Sequence, residues 1–234
     1  MTDSILLCRG ISFQPSKMNV LEQVSFSLRP GRIAGLFGPY GSGKSSLLQI
    51  AAGRLPAASG EIDVYGHTAG RSIRAYTSYL SEHPEGFKHG QISTLVRQYR
   101  DLFPDWNPVR FHALLTLFDL PSQGKLKGLA PVQIQQLGLC LCLARTVPLY
   151  LLDEPLSAME PEARAKLLRD VLAGRPAGSS ALIATSQVQA LEGLVDDALF
   201  LRKGRLSLSG DAASLRAEQG KSLNALYMEG FGWE

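Results

Sequence analysis

Apolar and polar positions along the chain follow two periods. Val24, Phe26 and Leu28 alternate with Ser25, Ser27 and Arg29, the two-residue period of a strand, and Pro30-Gly31 then turns the chain. Arg32–Phe37 reads as a second strand, apolar on both faces as a buried central strand would be. A glycine-rich loop follows, and then a helix over Lys44–Ala52 that Gly53 stops. Ile62 and Val64 mark a further strand between Gly60 and Gly66, and Tyr76–Leu80 another.

From about Gly86 to Val147 the period changes. Ile92–Leu102, Arg110–Leu120 and Val132–Arg145 carry apolar residues at three- and four-residue spacing, and no strand is expected there. Alternation resumes with a strand at Leu149–Leu152, a helix at Pro161–Leu172, a strand at Ala181–Ala184, a short helix, and a strand at Ala198–Leu201. Leu223–Met228 reads as a surface helix with a frayed tail. The pattern predicts an α/β fold with a mostly parallel central sheet flanked by helices and an inserted helical lobe over about 86–147.

Composition narrows the class. With 45% hydrophobic and 19% charged residues, 234 residues can build one substantial core, and a net charge of +3 argues against disorder. The longest apolar run, Leu137–Ala144, is far shorter than the roughly 20 residues that span a bilayer. Asp3 and Arg9 interrupt the first apolar run, so no secretory signal is expected. Three cysteines do not suggest a disulfide scaffold; Cys140 and Cys142 read as small buried hydrophobes of a reducing compartment, and a cytoplasmic site of action is expected. Basic residues such as Arg71, Arg74, Lys125, Lys127, Arg202, Lys203 and Arg205 are scattered, so no nucleic-acid partner is expected.

Two motifs carry chemistry. Gly38-Pro39-Tyr40-Gly41-Ser42-Gly43-Lys44-Ser45 fits G-x-x-x-x-G-K-[ST] between a predicted strand and a predicted helix, with Ser46 next in line. Gly41 and Gly43 permit positive φ, which lets backbone N–H groups turn inward around phosphate oxygens, and the helix N-terminus adds partial positive charge. Lys44 offers a full charge to the β- and γ-phosphates of a nucleotide, and Ser45 a hydroxyl to Mg²⁺. In the second motif, Leu149-Tyr150-Leu151-Leu152-Asp153-Glu154-Pro155, an apolar strand delivers two carboxylates at its C-terminal end, the edge where α/β sheets bind ligands. There Asp153 can hold Mg²⁺ through water, while Glu154 can orient and deprotonate an attacking water.

With these motifs and Gly128-Leu129-Ala130-Pro131-Val132-Gln133 ahead of a Leu-rich helix, the sequence resembles the ATP-binding subunit of an ABC transporter over essentially its whole length, in particular the single-domain subunits of exporter-type systems. The resemblance implies a P-loop NTPase of the ABC type with an N-terminal antiparallel β part, one ATP-binding domain over 1–234, and ATP and Mg²⁺ as ligands. It further implies a dimer that sandwiches ATP, with a homodimer favoured over a heterodimer, and a separate membrane-spanning permease that would hold the chain against the inner face of the membrane. Helical-lobe docking on that permease would transmit the motion, with export the expected direction.

The departures from the family pattern matter as much. The signature motif, typically LSGGQ, reads Leu129-Ala130-Pro131-Val132-Gln133: Ala130 lacks the hydroxyl that would reach a γ-phosphate across the dimer, and Val132 brings a branched side chain where glycine lets backbone approach. Glu82 stands at the glutamine-loop position, where it could still touch Mg²⁺ or the attacking water, and the D-loop reads Ser157-Ala158-Met159-Glu160. Ser186 takes the place of the switch histidine and cannot carry its charge. His67, His83, His89 and His112 match no such position and read as surface or loop residues. Slow hydrolysis is the expectation, with a purely regulatory nucleotide-binding subunit as the alternative. Phe13 is a candidate to stack on adenine or to pack in the core, and Trp106 to dock a partner or to pack within the lobe.

Overall fold

The computed structural model describes residues 4–16, 18–68, 70–82, 87 and 90–231. Its order begins β1 (Leu6–Phe13), β2 (Leu21–Leu28), β3 (Ile33–Phe37), α1 (Lys44–Ala51), β4 (Ser59–Val64), α2 (Gly70–Tyr76) and β5 (Thr77–Leu80). Three helices follow, α3 (Ile92–Leu102), α4 (Pro108–Leu117) and α5 (Pro131–Leu143). The chain then returns through β6 (Leu149–Asp153), α6 (Pro161–Ala173), β7 (Ser180–Thr185), β8 (Asp197–Arg202), β9 (Arg205–Asp211), α7 (Ala212–Gln219) and α8 (Leu223–Phe231).

Two sheets result. A small antiparallel sheet runs β2-β1-β4, and the central sheet runs β5-β6-β7-β3-β8-β9, parallel except for β9. This is the α/β architecture with a mostly parallel sheet that the alternation predicted. The central strands divide their side chains between two cores, as the two-residue period demands. Leu149 and Leu151 of β6 join Leu47 and Leu48 of α1 and Leu6 of β1 between the sheets. Tyr150 and Leu152 face the other way, into the core shared with α5, α6 and α8.

Several details differ from the reading of the pattern. Tyr76 closes α2, a helix the alternation did not disclose, so the strand after it starts at Thr77. Asn107 caps α4 by accepting the Arg110 N–H at 3.0 Å with Pro108 in the first turn, which starts that helix before Arg110. The helix ends at Leu117, and Asp119 adopts positive φ just beyond. β9 and α7 were not anticipated. β9 alternates cleanly, but its outer positions are polar at a sheet edge, and α7 starts on the Asp211 cap of Ser214. Gly86, the expected lobe boundary, and His83 and His89 lie outside the described residues. His67 stacks on Tyr76 at 4.2 Å, and Trp106 packs against Phe111 inside the lobe. Cys8, Cys140 and Cys142 are free and buried. Among the described residues, no helix is long and apolar enough to cross a membrane.

Arg145 joins the helical segment to the central sheet. The residue is 5% exposed, and its guanidinium grips both carboxylate oxygens of Asp105 at 2.7 and 2.9 Å while donating to the Thr77 carbonyl at 2.6 Å. The Phe103 ring covers it at 4.1 Å. Ser78 Oγ, one strand residue on, donates to the Cys142 carbonyl. Removing the cation would leave a carboxylate and a buried carbonyl unpaired, which costs about 3–5 kcal/mol. Arg145→Met should therefore lower unfolding free energy by about that amount. A denaturant melt showing under about 1 kcal/mol of loss would relegate the bridge to the weak surface class.

Candidate functional site

The parallel register places three strand ends side by side. Phe37 pairs with Thr185, and Asp153 with Ala184, so the loop leaving β3, the turn after β6 and the turn after β7 emerge at one edge. Whatever chemistry the chain performs with Lys44, Asp153, Glu154 and Ser186 is brought together there by the register.

The loop Gly38–Ser45 is built by steric exclusion. A Cβ at Gly38 would lie 2.4 Å from the Leu201 carbonyl oxygen, and one at Gly43 would lie 2.8 Å from that of Val20. Gly43 also has φ of +105°, outside the comfortable range of any other residue, and serves as N-cap of α1. From the far side Gly204, in the β8–β9 hairpin, donates its N–H to the Ser42 carbonyl at 3.1 Å, and its own carbonyl accepts from the Glu22 N–H. Lys44 is buried and donates to the Gly38 and Pro39 carbonyls at 2.8 and 3.0 Å, arching back over the loop. Burial holds its ammonium below the usual lysine range, against the pull of Glu154, Asp153 and Glu82. Tyr40 is 84% exposed at the loop's crest, and Ser46 is half-buried on α1.

Asp153 is 2% exposed. Burial pushes its carboxyl up to about 6, opposed by the Ser45 hydroxyl and Lys44 and reinforced by Glu82 and Glu154. Its Oδ2 receives a long contact from Tyr79 Oη at 3.4 Å, and its Oδ1 has no partner. Ser42 Oγ, on the loop, is likewise buried and unpartnered. Such atoms are rare in folded chains, because each forfeits its hydrogen bond to water. A cation at Asp153 and an anionic group at the loop satisfy both, so the residues present fit Mg²⁺ and a phosphate. Ser45, Glu82 and Asp153 share an open cavity of about 610 Å³ with Gln49, Tyr79 and Gln98.

Glu154 behaves differently from its neighbour. It lies outside that cavity, has φ of +43°, and turns its carboxylate toward the end of β7. Oε1 accepts the Ser186 backbone N–H at 2.7 Å; Oε2 accepts the Thr185 hydroxyl at 2.8 Å and faces Arg164 at 3.3 Å. Ser186 thus meets Glu154 through its main chain. Of the two acids only Asp153 lines that cavity, while both lie close enough to Lys44 to act on its charge.

Ala130, Val132 and Gln133 stand apart, at the start of α5, and none lines the cavity. Ala130 offers no capping side chain, so the Gln133 amide oxygen reaches back to its N–H at 2.9 Å. Phe13 sits at the end of β1, packed against the core between the sheets. Arg164, Thr185 and Gln187 had no role in the reading of the sequence. Arg164 could have been found: it falls in line with Leu168, Val171 and Leu172 on the apolar face of α6, and an arginine there requires an acidic partner inside the fold.

A strand, a glycine turn wrapped by backbone, a buried lysine and an acid at the next strand's end define a P-loop nucleotide-binding α/β protein. The ABC transporter family model matches residues 21–157, more than half of the chain, and the chain belongs to that family. The ABC-type transporter ATP-binding protein EcsA of Bacillus subtilis is 26% identical over 97% of this chain and 96% of its own length. The daunorubicin resistance ATP-binding protein DrrA3 of Streptomyces coeruleorubidus is 25% identical over 94% of this chain and 72% of its own. Among solved structures, an ATP-binding subunit of an ABC transporter superposes with a TM-score of 0.81 at 23% identity, covering 97% of this chain and 99% of its own. An ATP-bound bacterial Atm1-family exporter gives 0.80 at 19%, covering 98% and 42%. The chain is related to the ATP-binding subunits of ABC transporters.

The elevated Asp153 carboxyl has a consequence for stability. A carboxyl raised in the folded state contributes stability that is complete below about pH 4 and lost as pH rises through about 6. Two units correspond to about 3 kcal/mol at most. Asp153→Asn, without nucleotide or Mg²⁺, should be more stable than the wild type by about 1–3 kcal/mol at pH 7.5, with the gap closing near pH 4. Denaturant melts at the two pH values measure this, and an equal gap at both would remove the linkage.

Proposed function

We propose that the chain is the ATP-binding motor subunit of an ABC transporter, binding MgATP at a dimer interface and coupling slow hydrolysis to a separate membrane-spanning permease. The observation that carries the reading is the pair of buried, unpartnered oxygens, Ser42 Oγ and Asp153 Oδ1, around the Gly38–Ser45 turn. In this reading the backbone N–H groups of Gly41–Ser45 receive the triphosphate, and Lys44 exchanges its two carbonyl contacts for phosphate oxygens. Ser45 and Asp153, with Glu82 beside them, would hold Mg²⁺, which neutralises developing charge on the phosphates. Glu154 orients and deprotonates the water.

The slow rate follows from missing donors. Ala130 and Val132 cannot supply what serine and glycine would to a partner's γ-phosphate, and Ser186, its backbone N–H already given to Glu154, has only a short uncharged hydroxyl in place of an imidazole. Losing one preorganised donor costs ~10²–10³ in rate. Export is the direction of transport in this reading. A homodimer, held at the inner membrane face by its permease, with no nucleic-acid partner, completes the reading. The second reading, a regulatory subunit that holds ATP without turnover, is favoured by the same three positions.

Calorimetric titration and phosphate release test this. Wild type should bind MgATP, and Lys44→Ala should weaken binding about 10–100-fold, the worth of a charge-assisted bond. Glu154→Gln should keep binding and abolish turnover, while Ala130→Ser with Ser186→His should raise turnover at least about tenfold. Binding without any turnover would select the regulatory reading; absence of binding would reject both.

A further inference from the structure

Arg164 is the largest wholly buried side chain among the described residues. A guanidinium so placed has lost all hydration, and a methionine or leucine would fill the same space at lower cost. Its donors are distributed over two segments, the turn after β6 and the turn after β7. Nε donates to the Pro155 carbonyl at 2.8 Å, Nη1 to Gln187 Oε1 at 2.8 Å, and Nη2 to Thr185 Oγ1 at 3.1 Å and Glu154 Oε2 at 3.3 Å. Thr185 Oγ1 accepts the Gln187 N–H at 3.0 Å while its own hydroxyl serves Glu154. The turn after β6 is pinned from its other side as well. Gln135 of α5 donates to Ser157 Oγ at 2.9 Å and accepts the Ala158 N–H at 3.3 Å.

The Glu154 backbone needs such support. Glu154 and Leu156 both have positive φ, and two such residues within one turn persist only where their surroundings impose the conformation. Lysine could supply charge at this place, but its single nitrogen could not span the Pro155 carbonyl and the three side chains of Glu154, Thr185 and Gln187.

We propose that Arg164 is a positioning residue for hydrolysis: its fork fixes the Glu154 carboxylate, the Thr185–Gln187 turn and the Pro155 carbonyl in one arrangement. The orientation of the base then depends on helix α6 and not on the side chain at position 186. Thr185 is the second member of the cradle. This deepens the hydrolytic reading above and rests on it.

Steady-state hydrolysis of MgATP by the full chain, with MgATP affinity and melting temperature measured in parallel, tests the assignment. Arg164→Met should lower kcat about 10²-fold with KM and affinity within about twofold of wild type, as expected when a preorganised contact is lost. Arg164→Lys should recover part of that loss. Thr185→Val keeps the shape and removes only the hydroxyl, so it should fold even where Arg164→Met does not, and should lower kcat about tenfold at unchanged KM. Unchanged kcat in Thr185→Val overturns the proposal, as do kcat and affinity falling in proportion, which is the signature of a purely structural role. Wild-type turnover with unaffected variants removes this proposal alone, whereas a wild type without turnover removes the hydrolytic reading together with it.

Discussion

Everything at the site depends on the lateral register of β6, β7 and β3. With Asp153 beside Ala184 and Phe37 beside Thr185, three strands end within one residue of each other, and their exit loops have nowhere to go but the same edge. A slip of one residue would exchange the two faces of β6 and send Leu149 and Leu151 into the wrong core. The apolar side chains on both faces therefore fix the position of the acids, although none of those side chains touches them.

That edge buries four ionisable side chains, Lys44, Asp153, Glu154 and Arg164. They divide into two unequal pairs. Glu154 and Arg164 are mutually satisfied, with a hydroxyl and a backbone N–H closing the remaining valences. Asp153 has Lys44 nearby but one oxygen unpaired, and burial makes it hold its proton more tightly. One acid is thus locked in place by the fold and the other is left unsatisfied, a division consistent with one orienting a water and the other holding a metal.

Much of this was legible in the sequence, for identifiable reasons. Strands buried on both faces, such as β3 and β6, show as unbroken apolar runs, and the glycine turn shows because nothing but glycine fits against the carbonyls of Leu201 and Val20. β9 was obscured because a sheet edge tolerates polar residues, and α2 because its seven residues are too few to display a helical period. The side to which Glu154 turns could not be read at all. It is set by positive φ and by Thr185 and Arg164, which are distant in sequence and meet only once the sheet has formed.

The hairpin between β8 and β9 deserves a different view of surface loops. Its tip looks like a place where the chain could be opened, since exposed turns usually accept new termini or inserted domains. Yet Gly204 bonds the Ser42 carbonyl on one side and the Glu22 N–H on the other, and any Cβ there would sit 2.6 Å from the Val20 carbonyl. The tip fastens the small sheet and the glycine turn to each other. Circular permutants or reporter insertions cut at this point would release both at once.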